Sequence, residues 1–272
     1  MMRATLAEAL NVTHRPYVYF VGSGGKTTVM YELAHELTVQ NRVMTTTSTR
    51  MWPPRMARQL AAQRHDISDQ AAFGSRWSVT AIVTEEISQL MVGLRLQRDG
   101  TGHVTVAKDV GKDGKLVGYG LKELDKLIKT GMTDFVLVEG DGAGGCLLKG
   151  HNAKEPVVSP NADLVVAVIA ADAVGISIDE HCVHRPELVA ERLGKRLGDV
   201  VTADEVAQLI LHPEGYLRGA PGDVVVFISR AGRNPREARS LVQALRVHDS
   251  EGRIGRVVVG ELMGRSPVVD IM

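Results

Sequence analysis

The sequence of 272 residues carries no excess of either charge: 32 lysines and arginines face 32 aspartates and glutamates. Proteins that neutralise nucleic-acid phosphates need a basic surplus, so no nucleic-acid partner is expected. Aromatic residues are scarce, at 4%, which leaves few rings on which bases would stack. Two cysteines, Cys146 and Cys182, form no CxxC pair, which excludes a zinc ribbon and a thioredoxin-like redox site. Free thiols in a reducing compartment are expected instead. No run approaches the ~20 apolar residues of a membrane span, and residues 1–8 lack the apolar core of a signal peptide. These absences predict a cytoplasmic protein with no membrane partner.

What is present is the composition of a folded protein, 44% hydrophobic and 24% charged. Short apolar runs alternate with helical patterns throughout, the signature of a three-layer α/β fold with a mostly parallel sheet flanked by helices. Strands are expected at 17–21, 42–46, 80–83, 135–138, 164–169, 223–228 and 256–259. Residues 103–106 and 115–117 read as a hairpin through Gly111-Lys112-Asp113-Gly114. Helical spacing is clear at Val29, Leu33 and Leu37, and again over 121–128 with Gly131 as a stop. Thr202 and Glu205 have the spacing of a capping box, and Asn234-Pro235 that of a cap followed by proline. No linker or repeat interrupts residues 1–272, which read as one domain with a small helical lobe near 184–220.

The strongest chemical signal is Gly22-Ser23-Gly24-Gly25-Lys26-Thr27-Thr28, set between a strand and a helix. Glycines let consecutive backbone N–H groups converge as an anion nest, and the positive end of the helix adds to the field. In such a loop Lys26 reaches the outer phosphates of a nucleoside triphosphate and the Thr27 hydroxyl ligates magnesium. The full phosphate-loop pattern has a glycine five residues before Gly25, where this chain has Phe20. The loop therefore reads as a shortened P-loop, similar to the GxxGKTT loops of the Mur ligases.

Four apolar residues then lead into Glu139-Gly140-Asp141-Gly142. A carboxylate at a strand tip is suited to hold magnesium or orient a water, so Glu139 and Asp141 are candidate catalytic and metal-binding residues beside Lys26. A solvated acidic turn is the alternative. Thr45 to Thr49 end the second strand, on the side where open α/β sheets bind ligands, which makes Thr46 and Thr47 candidates; threonine is also simply a good strand former. Lys149, His151 and Glu155 follow in a stretch without period, as loop candidates. His181, Cys182 and His184 have metal-like spacing but no second half of a site. After the 223–228 run, Ser229-Arg230-Ala231-Gly232 stands where a guanine-specific motif would carry an aspartate, so that motif is absent.

In this order, Gly22 to Thr28, Thr45-Thr46-Thr47, Glu139-Gly140-Asp141-Gly142-Ala143, Lys149, Glu155-Pro156 and His184-Arg185-Pro186-Glu187 resemble the YqeC family, selenium-dependent hydroxylase accessory proteins. The resemblance implies a P-loop nucleoside-triphosphatase fold binding ATP or GTP with magnesium. It also implies a role in maturing molybdenum hydroxylases, with the hydroxylase or its molybdenum cofactor as partner, and brings Arg185 among the candidates. Basic residues expected after the Asp-Gly-Ala element are replaced here by Gly144, Gly145 and Cys146. Two functions follow: a magnesium-dependent triphosphatase driving a maturation step, or a nucleotide-gated carrier or scaffold with little hydrolysis. A Mur-like ligase would need a further domain for which the chain has no room.

Overall fold

The computed structural model describes residues 4–54, 80–96, 102–262 and 267–272. Its centre is built from strands buried along their whole length: β1 (Tyr17–Gly22), β8 (Phe135–Glu139) and β10 (Leu164–Ala170). Strands read as unbroken apolar runs when helices cover both faces. Side chains still alternate, so Tyr17, Tyr19 and Val21 join one core cluster while Val18 and Phe20 join the other.

Around these lie β2 (Arg42–Thr47), β4 (Thr80–Val83), β5 (Gly102–Ala107), β12 (Asp223–Ser229), β13 (Arg256–Gly260) and β14 (Val268–Ile271). The nine strands run in the order β14-β13-β12-β10-β1-β8-β2-β5-β4. Every described pairing is parallel except that of β14, which closes one edge against β13. On one face, α1 (Leu6–Leu10) and α2 (Lys26–Leu37) bury Leu6, Leu10, Val29 and Leu33. The other face carries α3 (Ile87–Leu96), α4 (Leu121–Lys129), α5 (Pro186–Leu193), α6 (Ala203–Leu211) and α7 (Pro235–His248). The result is the expected three-layer α/β arrangement of a P-loop NTPase-like fold. Among the described residues, no helix is long and apolar enough to cross a membrane.

Local signals are met in part. Thr202 and Glu205 form the capping box, with N–H to side-chain distances of 2.7 and 3.3 Å. Asn234 precedes the α7 proline, but its side chain makes no cap and donates instead to the Arg230 carbonyl. The expected hairpin is corrected. Residues 102–107 form β5, a parallel strand of the main sheet between β2 and β4. The turn at Gly111–Gly114 instead joins β6 (Asp109–Val110) to β7 (Leu116–Val117), which pairs with β3 (Arg50–Met51) in a separate three-stranded sheet. Burial decides this: Val104, Val106 and Ala107 are all core residues, which suits an inner strand better than an exposed ribbon. Two further strands, β9 (Leu148–Lys149) and β11 (Val183–His184), pair in parallel.

β1 lies between β10 and β8. The chain leaves it through α2 towards β2 on one side, while β10 lies on the other. Such a point, where connections diverge, opens a crevice beyond the carboxyl ends of the strands.

Candidate functional site

β1 ends in that crevice at Gly22, and Ser23, Gly24 and Gly25 turn the chain into α2. Three of these four residues need glycine. Gly22, Gly24 and Gly25 have φ of 100°, 75° and 134°, a region that side chains disfavour. A methyl group at Gly22 would lie 2.4 Å from the Val168 carbonyl oxygen, and one at Gly24 would lie 2.5 Å from the Ala170 side chain. Gly24→Ala is therefore expected to cost about 1–3 kcal/mol through overpacking alone, read as a fall in urea midpoint, whereas Gly142→Ala, which meets nothing within 4 Å, is a near-neutral control.

The loop is held from outside by residues distant in sequence. The Ser23 hydroxyl bonds the Leu147 carbonyl at 2.9 Å and the Tyr216 hydroxyl at 2.8 Å, and the Ser229 hydroxyl donates to the Gly24 carbonyl at 2.6 Å. Gly25 caps α2 without a side chain. The first-turn N–H groups thus face no side-chain acceptor of the cap, the arrangement in which a helix start receives an anion.

The charged residues divide into two sets. In the first, Asp141 is fully buried. Its oxygens accept the Gly22 N–H at 3.1 Å and His151 Nε2 at 2.7 Å, and lie 3.2 Å from both Lys26 Nζ and Lys149 Nζ. Burial raises the Asp141 pKa, but the two ammonium groups and the His151 bond outweigh it and hold the carboxyl well below its ordinary 3.8. Burial lowers the His151 pKa, so the ring is neutral, and Nε2 must carry the proton donated to ionised Asp141. Nδ1 is then an acceptor, buried without a partner among the described residues. Lys149 Nζ also reaches Glu155 at 3.0 Å, and Arg185 reaches the same carboxylate at 2.6 Å. β9 and β11 create this chain by pairing Lys149 with His184, next to Arg185.

In the second set, the Thr27 hydroxyl donates to Glu139 Oε2 at 2.6 Å. Glu139 ends β8 and Thr27 opens α2. Burial pushes the Glu139 carboxyl up, against the pull of Lys26 and the Thr27 bond. A raised folded-state value means that ionised Glu139 costs stability as the pH rises through it. Glu139→Gln is accordingly expected to raise Tm at pH 7–8, the gain shrinking towards pH 4; a lower Tm at both pH values would show that the carboxylate stabilises the fold.

The sequence-derived candidates thus separate. Gly22 to Thr28, Glu139, Asp141, Lys149, Glu155 and Arg185 converge, but Glu139 alone of the two acids meets Thr27. Thr47 supports β8 by donating to the Glu139 carbonyl at 2.7 Å, while the Thr46 hydroxyl is buried without a partner among the described residues. His181 is almost fully exposed, and no cluster of three or more metal-type His, Cys, Asp or Glu donors occurs among the described residues.

A cleft opens over the loop. It is lined by Gly24 to Thr28, Glu139 and Gly142 to Cys146. Two further groups of residues line it, of which the sequence marked only Ser229 and Arg230, as the place where a guanine-specific aspartate is absent. On the β3–β7 side stand Arg50, Trp52 and Lys115, the Lys115 ammonium 4.9 Å from the centre of the Trp52 ring. On the β12–β13 side stand Ser229, Arg230, Glu261 and Leu262.

Similarity to known proteins runs through the same residues. A family model described as YqeC protein matches residues 18–187. The chain is also 27% identical over 254 residues to a protein of Escherichia coli (strain K12) carrying the name "Uncharacterized protein YqeC", with 89% of this chain and 88% of that protein covered. The family match takes in more than half the chain, including the glycine loop, Glu139 and the Lys149–Arg185 network, and the chain belongs to the YqeC family.

Proposed function

We propose that the protein binds and hydrolyses a nucleoside triphosphate with magnesium, as an accessory protein in the maturation of selenium-dependent molybdenum hydroxylases. The observation that carries the nucleotide reading is the Thr27–Glu139 pair, 2.6 Å apart, at the mouth of a glycine loop that also presents Lys26. A hydroxyl and one carboxylate are hard oxygen donors, and magnesium binds through one or two such groups plus phosphate and water. The residues therefore fit the ion. The maturation role rests on the family resemblance.

Within this reading each residue has a task. The α2 N–H groups and the Gly24–Gly25 backbone hold the phosphates by direct hydrogen bonds. Lys26, now on the Gly22 carbonyl at 2.6 Å and on Asp141, swings its ammonium to the outer phosphates, and Lys149 and His151 keep Asp141 neutralised. Thr27 and Glu139 would hold the metal, directly or through its waters. Magnesium supplies charge neutralisation on the phosphate oxygens, the main requirement of phosphoryl transfer.

The carrier reading has its own support. Asp141 joins Lys26 to Lys149, and Lys149 joins Glu155 and Arg185 beside β11. Withdrawal of Lys26 onto phosphate would be felt there, a route by which nucleotide could alter the grip on a cargo. Phosphate release from ATP and GTP, with magnesium or with a chelator and with a hydroxylase partner present, separates the readings. Metal-dependent turnover supports the triphosphatase. Tight binding without turnover supports the carrier, and binding of neither nucleotide sinks both.

A further inference from the structure

Beyond the phosphate end, the cleft continues past Gly24 and Gly25 to the tips of β12 and β13. Glu261 follows β13, three strand intervals from β1, which is roughly 14 Å at about 4.8 Å per interval. That is the span from phosphates through a ribose to a base. Three observations mark this end as built for a ligand. Glu261 lines the cleft, and its Oε2 is buried without a hydrogen-bond partner among the described residues. A buried acceptor left unpaired is costly, so it calls for a donor. Arg230 also lines the cleft, with its backbone at φ 58°, a left-handed conformation uncommon for a non-glycine residue and enriched at ligand sites. Its guanidinium is fixed by Asp172 at 2.8 Å, which leaves further N–H donors. Finally, Ser229 ties this strand tip to the Gly24 carbonyl, so the two ends of the cleft are mechanically one.

We infer that this end recognises guanine: Glu261 accepts the N1–H and 2-amino hydrogens, Arg230 donates to the base's acceptor edge, and Leu262 covers the ring. The inference rests on the triphosphate reading. The chemistry selects among bases. A carboxylate offers two adjacent acceptors, and guanine presents two adjacent N–H donors. Adenine presents one donor beside a ring-nitrogen acceptor, which a carboxylate repels. Arginine matches the neighbouring O6 and N7 acceptors of guanine in bidentate fashion. The aspartate of the usual guanine motif is absent after β12, and a glutamate from the next strand supplies its chemistry.

Equilibrium titration of the full chain with GTP, ITP and ATP in magnesium tests this. GTP is expected to bind about 10- to 100-fold tighter than ATP, the value of one hydrogen bond to a charged group. ITP, which lacks the 2-amino group, should fall between them. Glu261→Gln should bring the GTP and ATP affinities close together and improve XTP, whose 2-carbonyl accepts from the new amide. If ATP binds the wild type as tightly as GTP, and Lys26→Ala abolishes both, the base inference is overturned and the phosphate site stands. If no triphosphate binds, both are overturned. Should Glu261→Gln not fold, the wild-type order of GTP, ITP and ATP decides by itself.

Discussion

On the proposed triphosphatase reading, Lys26→Ala is expected to lower triphosphate turnover by about two to three orders of magnitude, the loss typical of removing one preorganised electrostatic donor, while the protein stays folded. The second half of that expectation follows from the geometry. Lys26 is nearly buried against Asp141, and breaking a buried pair normally strands the remaining charge. Here Asp141 keeps Lys149, His151 and the Gly22 N–H, so it is not stranded. Circular dichroism should be unchanged and Tm altered little, with phosphate release lost. A variant that retains near wild-type turnover would remove Lys26 from the catalytic machinery; one that unfolds would show that the Asp141 cluster lacks this reserve.

Asp141→Ala has the opposite profile. It removes the acceptor shared by four donors and leaves Lys26, among the described residues, with the Gly22 carbonyl as its hydrogen-bond partner, His151 Nε2 unpaired and the Gly22 N–H unmet. Lys149 retains Glu155 and the Gly142 carbonyl, which limits the damage on that side. The loss is expected at about 3–5 kcal/mol, a fall in Tm of roughly 10 °C for a chain of this size. A loss below about 1 kcal/mol in urea unfolding would show that the cluster is not holding the loop. The pH dependence agrees in sign. Asp141 titrates below its ordinary 3.8 in the folded state, so its contribution is complete above about pH 4 and drains away as the pH falls further. The variant should lose that part of the acid sensitivity of the wild type.

The central strands were legible because burial on both faces writes itself as continuous apolar sequence, as in Phe135–Val138 and Leu164–Ile169. The glycine loop was legible because backbone geometry there demands particular residues. Pairing was harder. The 103–106 run suits either a ribbon or a parallel strand, and its burial as an inner strand between β2 and β4 assigns it. The roles of Glu139 and Asp141 were undivided in sequence, because two residues of spacing in a turn do not say which side chain reaches α2. Glu261 left no trace, and Arg230 was marked only by the absent aspartate of the guanine motif; the two are 31 positions apart and reach one cleft because β12 and β13 lie side by side.

Tyr216 and Ser229 fasten the glycine loop by way of Ser23 and Gly24, yet both fall beyond residue 187, where the family match stops. A piece cut at that boundary would hold every residue of the motif and lack two of the clasps that set its curvature, along with β12 and β13. The recognisable signature and the working loop are therefore objects of different length. Divergence in the last third of the chain can reshape the glycine loop while leaving the signature letter-perfect.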